Sequence, residues 1–325
     1  MERTAEWSVT EGGRLDKVLS RALGQSRNQI AKLIEAGGVE VEEQTVRKPS
    51  HRVEPGQRVR YRFLEAEPSP ERGPVEFDVE VLYEDDALLV LNKPAGVVVH
   101  PAPSVREATL VDWLKARGIS LSTLSGEERH GIVHRLDKET SGALVVAKDN
   151  DTHRKLAEEL KRREMGRYYL AIIDHPLRED VRIDKPIARH PKNRLKMGIV
   201  EGGRPARSDL IKIEEGDNGT ELIAVRLHTG RTHQIRVHLE SIGRHILGDE
   251  LYGFKSRGGT IPRVFLHAAL LYLTHPVTGE RLEVRAPMPE DMREYLHKHY
   301  TRSYGDEENL LGGLGREFDR RFAHL

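Results

Sequence analysis

Apolar and polar positions follow two different periods between Gly13 and Arg62. The segments RLDKVLSRAL, at 14–23, and RNQIAKLIEAG, at 27–37, repeat apolar residues with helical spacing, which predicts two helices. Ser26 is placed to cap the second helix. The segments VEVEE and QRVRYRF then alternate with the period of a half-buried strand. The pattern predicts a small helix-helix-strand module.

A charged, proline-rich segment follows this module. EAEPSPERGP, at 65–74, has the composition of a linker rather than of a core element. We therefore place a small domain at 1–64, a linker at 65–75 and a larger domain at 76–302. Residues 303–325 carry a cluster of glycines and are expected to form a loosely held, partly disordered tail.

The larger domain alternates apolar runs of strand length with three helical segments. The helical spacing covers Leu110–Ala116, 152–165 and 232–242. The apolar runs are VEVLY, ALLVL, GVVVH, ALVVA, YYLAII, ELIAVRL and VFLHAALLYL. Strands this numerous, with helices at irregular intervals and no fixed repeat, predict an α+β fold with a mixed sheet rather than a doubly wound one.

Composition excludes some chemistry without selecting a function. The chain has 325 residues and no cysteine, so disulfides and thiolate-bound zinc or iron–sulfur centres are excluded. A reducing compartment, by default the cytoplasm, is expected. Neither a secretory leader nor an apolar run of membrane-spanning length is evident, so we expect neither export nor membrane insertion.

Charge is balanced overall but is unevenly distributed. The 52 Lys and Arg residues equal the 52 Asp and Glu residues, so net charge gives no reason to expect a polyanionic partner. Nine basic residues nevertheless lie between Arg182 and Lys212, against three acids. A local basic face and the solvated charge mixture of a heat-tolerant protein both fit this pattern.

The densest group of reactive side chains is GIVHRLDKETSGALVVAKD, at 131–149. Its polar residues, including His134, Arg135 and Asp137, precede an apolar strand. The group is therefore predicted to lie on a loop at the mouth of a strand, where catalytic residues often lie. From these residues alone, an Asx-type turn at Asp137, closed by Gly142, is the purely structural alternative.

A second group is LHTGRTHQIRVHLESIG, at 227–243. A strand ends before a helix that Thr232 is placed to cap. Arg231, His233 and Arg236 then crowd the helix start, where exposed N–H groups and the helix dipole favour phosphate. An ordinary solvated basic turn is the alternative.

A third segment, RYYLAII at 167–173, opens a strand with two adjacent tyrosines. Alternation along a strand predicts that Tyr168 and Tyr169 point to opposite faces. One tyrosine would pack in the core and the other would face a cleft, where it could stack on a base. Routine burial of both in the core is the alternative.

Other chemistries have little support in the sequence. His130 and His134 have zinc-ligand spacing only on a helix, and the residues between them predict loop and strand, so we expect no metal. The sequence has no HExxH, GxxxxGK[ST], GxGxxG or GxSxG motif. Metalloprotease chemistry, nucleotide hydrolysis, redox chemistry and serine hydrolysis are therefore disfavoured.

The segment HRLDKETSG, at 134–142, resembles the signature of the RluA/RluD family of ribosomal pseudouridine synthases. Further segments are similar to motifs of that family in the same order, and IARHPKNRLKM is similar to a segment of its RluD branch. These segments are LNKPAGVVVHP, RYYLA, GRTHQIRVHL and LHAALLYLTHPVTGE. The first module resembles an S4 RNA-binding domain, except that Glu42 and Glu43 stand where that family usually has Asn-Gly.

The resemblance implies a mixed, largely antiparallel catalytic sheet that isomerises uridine to pseudouridine in structured RNA, most consistently 23S large-subunit ribosomal RNA. Asp137 would be the catalytic carboxylate acting on a flipped-out nucleotide. Arg236 would orient Asp137, and Tyr169 would stack on the detached uracil or take its C5 proton. Whether Asp137 attacks C1′ or acts as a base at C2′ stays open.

The resemblance also implies the partners. We expect RNA as the partner, a monomer, and neither a metal nor a nucleotide cofactor. The expected RNA contacts are Arg135, His134, Ser26, Arg27, Lys32, Arg189, Arg194, Arg231 and His233. Two alternatives remain: an RNA-binding protein without catalysis, and an RNA N-glycosidase that uses the same carboxylate and releases uracil.

Overall fold

The computed structural model describes residues 4–24, 27–62, 72–102, 105–124, 129–256, 260–301 and 310–323. The chain divides into two compact units, residues 1–72 and 73–325, and each has its own hydrophobic core. Ser26 and most of the expected linker lie outside the described residues. In the part of the chain that is described, no helix is long and apolar enough to span a lipid bilayer.

The first unit combines two helices with a small antiparallel sheet. Helix α1 spans Leu15–Leu23 and α2 spans Arg27–Glu35. The strands are β1 (Thr4–Ser8), β2 (Gly13–Arg14), β3 (Val39–Val41), β4 (Gln44–Thr45), β5 (Arg52–Val53) and β6 (Arg58–Arg62). The sheet order is β1-β6-β3-β4, and β2 pairs with β5. The predicted helical spacing is confirmed, because Leu15, Leu19, Ile30 and Ile34 are fully buried.

Two acids form the turn between β3 and β4. Glu42 and Glu43 have φ angles of 47° and 66°, so the predicted strand at 39–43 ends at Val41. A two-residue hairpin turn with positive φ at both positions suits Asn and Gly, whereas a long side chain there is strained. The turn is therefore formed at a cost in backbone energy that Asn-Gly would not carry.

The second unit is built on one large sheet. Its strands are β7 (Glu80–Glu84), β8 (Leu88–Lys93), β9 (Ser141–Ala147), β10 (Gly166–Ile173), β11 (Val181–Asp184), β14 (Arg207–Glu215), β15 (Glu221–Leu227), β16 (Leu266–Thr274) and β17 (Arg281–Arg285). The order is β11-β14-β15-β10-β16-β9-β8-β7, and β17 pairs with β16. Within the described chain, β16 and β9 form the only parallel pair of this sheet. The predicted α+β class with a mixed, largely antiparallel sheet is confirmed.

The middle of the sheet is buried on both faces. In β9, Leu144 and Val146 belong to the main core, whereas Ala143 and Val145 pack in a second cluster on the other face. Residues that alternate along a strand point to opposite faces. A strand covered on both faces therefore reads as a continuous apolar run, as ALVVA does.

The apolar run GVVVH, at 96–100, was expected to be a strand but forms turns. Val97 and Val99 are buried in the main core. The carbonyl groups of Val98 and Val99 accept hydrogen bonds at 2.9 and 3.1 Å from the amides of Leu110 and Val111, at the start of a helix. The run is apolar because it is buried, but its hydrogen bonds go to a helix rather than to a neighbouring strand.

The helices of the second unit cover the sheet. They are α3 (Leu110–Ala116), α4 (Asn150–Arg162), α5 (Gln234–Glu240), α6 (Glu290–His299) and α7 (Leu314–Arg321). Helix α3 has the predicted bounds because Thr109 and Asp112 form a capping box at its start. Helix α4 begins earlier than the predicted 152–165 because the side chain of Asp149 caps it, and it ends earlier because Arg163 is left-handed.

The chain's last helix corrects the expectation of a loosely held tail. Within 310–323, the side chains of Leu311, Leu314, Phe318 and Phe322 are buried in the main core. The Phe318 ring lies 5.4 Å from that of Tyr168 on β10. These four buried apolar residues, in α7 and beside its two ends, outweigh the local glycines, of which Gly313 supplies a left-handed φ of 85° before the helix begins.

Candidate active site

A cleft of about 690 Å³ opens in the second unit. Among the segments that line it are the loop before β9, strand β10, and helix α5. These segments carry Asp137, Tyr169 and Arg236 respectively, and all three side chains line the cleft. The structure therefore brings together the three residues that were predicted to form the catalytic centre.

The loop at 134–140, which we call the Asp137 loop, is held in place by the close approach of β9 to β16. Ser141 pairs with His267, and Gly142 pairs with Ala268. Gly142 has a φ of 112°, and a Cβ atom there would lie 2.3 Å from the Ala268 carbonyl oxygen. Only glycine permits this approach, so the HRLDKETSG pattern ends in a residue that the packing requires.

A buried lysine ties the same loop to the turns that follow β8. The Lys93 ammonium donates to the carbonyl oxygens of Pro94, Val97 and Lys138 at 2.7, 2.8 and 3.1 Å. Burial lowers the pKa of Lys93 to about 7. Because Lys138 follows Asp137 directly, this ammonium holds the backbone beside the expected catalytic carboxylate. Sequence reasoning did not single out Lys93.

Arg236 lies between two carboxylates. Its Nη1 atom is 3.6 Å from Asp137 Oδ2, while its Nε and Nη2 atoms each donate at 2.7 Å to the carboxylate of Asp249. The side chains of Arg236 and Asp249 are 8% and 1% exposed, so this paired hydrogen bond is shielded from solvent. Asp249 thus fixes the guanidinium that faces Asp137. The sequence analysis missed Asp249, although the segment GDELYG follows α5 closely.

His233 completes the surroundings of Asp137. Its Nε2 atom lies 4.0 Å from Asp137 Oδ2, and its Nδ1 atom is 2.8 Å from the Tyr252 hydroxyl group. That hydroxyl also accepts a hydrogen bond from the Met197 amide. If it donates its own hydrogen to Nδ1, the imidazole N–H is on Nε2 and faces Asp137. Burial lowers the pKa of His233, which favours the neutral ring.

The two tyrosines of β10 point to opposite faces, as the alternation predicted. Tyr168 packs between Tyr272 and Phe318 in the core, whereas Tyr169 lines the cleft. Burial raises the pKa of Tyr169 to about 12, so the phenol keeps its proton at neutral pH. Arg167, on the same face as Tyr169, also lines the cleft.

The expected RNA contacts on the Asp137 loop differ from each other. Arg135 is exposed at the cleft. His134 is buried, and its Nε2 atom accepts a hydrogen bond from the Val145 amide at 3.3 Å. Burial lowers the pKa of His134 to about 3. The structure therefore gives His134 the surroundings of a neutral histidine that holds the loop, rather than of a phosphate ligand.

The start of α5 also differs from the expectation. The residue before the helix is His233, with a φ of 56°, and no side chain caps the helix, so Thr232 is not the cap. Gln234 accepts hydrogen bonds from Thr229 and from the Arg231 amide. Helix α5 has seven residues, and the side chain of Gln234 accepts the hydrogen bond of the Arg231 amide in the loop before it. A phosphate site at its N-terminus is not supported, although the Arg231 side chain lines the cleft.

The remaining predicted contacts that are described do not line the cleft. Arg189 and Arg194 belong to a hairpin of β12 (Ile187–Arg189) and β13 (Met197–Ile199), in which Arg189 donates to the Arg194 carbonyl. In the first unit, Arg27 pairs with Asp16 at 2.8 Å, and Lys32 is exposed on α2. Among the described residues, no cluster of three His, Asp or Glu side chains could hold a metal ion.

Two family models match the chain. Residues 87–241 match the family model for RNA pseudouridylate synthase, and residues 13–59 match the S4 domain. A Helicobacter pylori protein named an uncharacterized RNA pseudouridine synthase is 42% identical over 320 residues, which cover 95% of each chain. The chain belongs to the RNA pseudouridine synthase family.

Two further relatives define the extent of the similarity. The ribosomal large subunit pseudouridine synthase D of Nitrosomonas europaea is 39% identical and covers 91% of this chain and 88% of its own. The solved structure of human RNA pseudouridylate synthase domain containing 1 aligns with a TM-score of 0.57 and 27% identity, over 74% of this chain and 96% of its own. This pseudouridine synthase is therefore an RNA-modifying isomerase with an S4 domain.

Proposed function

We propose that this RNA pseudouridine synthase modifies uridines of large-subunit ribosomal RNA, with Asp137 as the carboxylate that acts on the ribose. One observation carries the proposal: among the described residues, Asp137 is the only acid that lines the cleft, and Arg236 and His233 lie beside it. The printed name of the relative from Nitrosomonas europaea supports large-subunit ribosomal RNA as the substrate.

The reaction explains why a cleft is needed. The bond between N1 of uracil and C1′ of ribose is hidden in stacked RNA, so the nucleotide has to flip out, at a cost of about a few kcal/mol. Asp137 then attacks C1′ or takes a proton from C2′, and the N1–C1′ bond breaks. The uracil turns and its C5 bonds to C1′, which displaces the Asp137 carboxylate in the first route and is followed by return of the proton to C2′ in the second. C5 then loses its proton, and N1 gains one. Atoms and electrons balance, so the proposed reaction requires no cofactor.

The burial of Tyr169 favours one of its two expected roles. A base that takes the C5 proton would have to be a phenolate, but the pKa of about 12 keeps Tyr169 protonated at neutral pH. A neutral ring can stack on the detached uracil and donate a hydrogen bond to it. We therefore propose Tyr169 as a stacking residue. We also propose a monomer as the active form.

Substitution of Asp137 by Asn tests the assignment directly. The amide keeps the size of the side chain but lacks the charge of a nucleophile or base. We expect Asp137→Asn to abolish pseudouridine formation, to leave RNA affinity nearly unchanged and to alter the free energy of unfolding by about 1 kcal/mol or less. Glu139→Gln is the matched control, because Glu139 lies in the same loop but does not line the cleft.

The assay uses one ribosomal RNA fragment for both proteins. Pseudouridine is scored by chemical derivatisation, and affinity is measured by titration at fixed salt. If Asp137→Asn turns over within tenfold of wild type, Asp137 is not the catalytic carboxylate. If wild type releases free uracil from the fragment, the activity is that of an N-glycosidase instead of an isomerase.

A further inference from the structure

The cleft contains far more positive charge than the catalytic carboxylate can balance. Its lining has one acid, Asp137, and eight basic side chains: Arg129, Arg135, Lys161, Arg163, Arg167, Arg204, Arg231 and Arg236. Arg236 is paired with Asp249, and Lys161 lies near Glu158. The other six have no carboxylate partner in the described part of the chain. Unbalanced charge in a concave site attracts an anion.

Four of the six unpaired arginines are neighbours. Arg163, Arg167, Arg204 and Arg231 all line the cleft, and Arg167 Nη1 lies against Gly230, the residue before Arg231. In keeping with this placement, burial and the charges of Arg204, Arg163 and Arg167 lower the pKa of Arg231. The four arginines come from four places in the chain: the end of α4, the start of β10, the loop before β14, and the loop before α5. We call Arg163, Arg167, Arg204 and Arg231 the arginine quartet.

Arg167 is the buried member of the quartet. It is 7% exposed, and among the described residues its Nε atom has no hydrogen-bond partner. Burying a cation without a counter-charge is costly in free energy. A protein keeps such a group when a ligand supplies the missing partner, and Arg167 faces the cleft where that ligand would bind.

Arg163 shows a second local cost at the same place. It ends α4 with a φ of 65°, a left-handed conformation that glycine or asparagine usually adopts at this position. An arginine there strains the backbone, and its guanidinium lines the cleft. Residues that break a local rule without gaining a contact in the folded protein often serve a function.

We propose that the arginine quartet is a phosphate subsite, which binds one backbone phosphate of the RNA strand next to the reactive uridine. The proposal rests on the proposed function, because it assumes that the uridine enters this cleft. The subsite is distinct from Arg135, the earlier candidate for the phosphate of the flipped nucleotide, which lies in the Asp137 loop. Planar guanidinium groups match phosphate oxygens by paired hydrogen bonds, which makes arginine suited to this site.

Two substitutions separate this role from a structural one. Arg167→Met removes an unpaired buried cation, so we expect the urea midpoint of unfolding to stay the same or rise while RNA affinity falls tenfold or more. Arg163→Gly relieves the left-handed strain, so here too we expect the urea midpoint to stay the same or rise while RNA affinity falls. A structural arginine would instead lose stability and affinity together. Arg154→Met is the control, since Arg154 is exposed on α4 and pairs with Asp151 outside the cleft.

A third substitution displaces the guanidinium without changing any charge. A Cβ atom at Gly230 would lie 2.6 Å from Arg167 Nη1, the end of a flexible side chain. Gly230→Ala should therefore push Arg167 aside and weaken RNA binding, with little change in the urea midpoint.

The decisive experiment measures coupling to a single phosphate. The probe is a synthetic RNA hairpin that wild type modifies, prepared with one uncharged methylphosphonate linkage at each position around the reactive uridine. Binding is titrated in the Asp137→Asn background, so that affinity is measured without turnover. We expect that, at one position, the methylphosphonate linkage lowers RNA affinity at least tenfold when the protein retains Arg167. The same linkage should not lower the affinity of the Arg167→Met protein any further. The dependence of log affinity on log salt should also be shallower by about 0.7 for Arg167→Met.

The outcomes separate this proposal from the proposed function. If no linkage couples to Arg167, or if Arg167→Met keeps wild-type affinity and salt dependence, the quartet is not a phosphate subsite, whatever Asp137 does. If Asp137→Asn remains active but coupling is found, the subsite stands and the catalytic assignment fails. If Arg167→Met and Arg154→Met lose the same affinity, the loss reflects only the overall charge of the protein, and this result also overturns the proposal.

Discussion

Helix α7 gives the sharpest test of the fold, because the glycine-rich sequence predicted a loose tail there. Phe318 is fully buried, and its ring lies 5.4 Å from that of Tyr168. The guanidinium group of Arg226 lies over the same ring at 5.2 Å. Phe318→Ala removes these contacts and leaves a cavity against the back of β10.

The expected magnitude follows from these contacts. Truncating a buried phenylalanine to alanine costs about 3–5 kcal/mol, because the lost transfer free energy adds to that of the cavity. The aromatic pair with Tyr168 contributes about 0.5–1.5 kcal/mol of this. Tyr272 packs on the other side of Tyr168, at 5.7 Å, and limits its movement into the cavity. We expect a loss of about 3–4 kcal/mol in the free energy of unfolding.

Urea denaturation measures this loss, and the two tryptophans allow each unit to be followed. Trp7 lies in the first unit and Trp113 in the second, so a Trp7→Phe background reports the second unit alone. Arg320→Ala is the control on the same helix, since Arg320 is 74% exposed and should change stability by less than about 0.5 kcal/mol. If Phe318→Ala changes stability no more than the control does, α7 is not part of the core.

Three further predictions concern the site and the first unit. Arg236→Ala should reduce the rate much more than RNA affinity. Arg236→Lys should restore the rate only partly, because a point charge cannot reproduce the paired bonds to Asp249. If Arg236→Ala lowers rate and affinity equally, Arg236 acts only by binding an RNA phosphate. Deleting 1–64 should weaken RNA affinity and its salt dependence but leave slow turnover of a minimal RNA, and unchanged binding would contradict an RNA-binding role for this domain. Burial lowers the pKa of His134 to about 3 and of His267 to about 4, from about 6.5 when unfolded. Below pH 6.5 the unfolded chain therefore binds more protons than the folded one, so urea titrations should show stability falling as pH drops towards 4, by up to roughly 1.4 kcal/mol per pH unit for each histidine. A flat profile across that range would refute the argument for neutral buried histidines.

The fold was predictable where local signals and burial agree. The bounds of α3 follow from Thr109 and Asp112, which are both visible in the sequence. The run GVVVH misled because burial makes a segment apolar whatever its hydrogen bonds do, and its carbonyl groups bond to the start of α3. The glycines before α7 likewise concealed a helix whose apolar face becomes apparent only against β10.

The candidate site was predictable as a set of residues but not as a set of contacts. Asp137, Tyr169 and Arg236 carry recognisable motifs, and the sheet brings them to one cleft. The partner of Arg236 is Asp249, which reaches it from beyond the end of α5, so no periodicity connects the two. The buried ammonium of Lys93 was missed for a different reason: its three partners are backbone carbonyl groups, which leave no signal in a sequence.

The parallel contact between β9 and β16 has a consequence for how the enzyme folds. Ser141 and His267, which meet there, are 126 residues apart, so the loop closure that joins them is entropically expensive and should come late. Until β16 has paired with β9, Gly142 lacks its contact with the Ala268 backbone, and the Asp137 loop lacks the support that this contact provides. Catalytic competence should therefore appear after the hairpins of the sheet have formed. In refolding experiments, recovery of activity should lag behind the recovery of secondary structure.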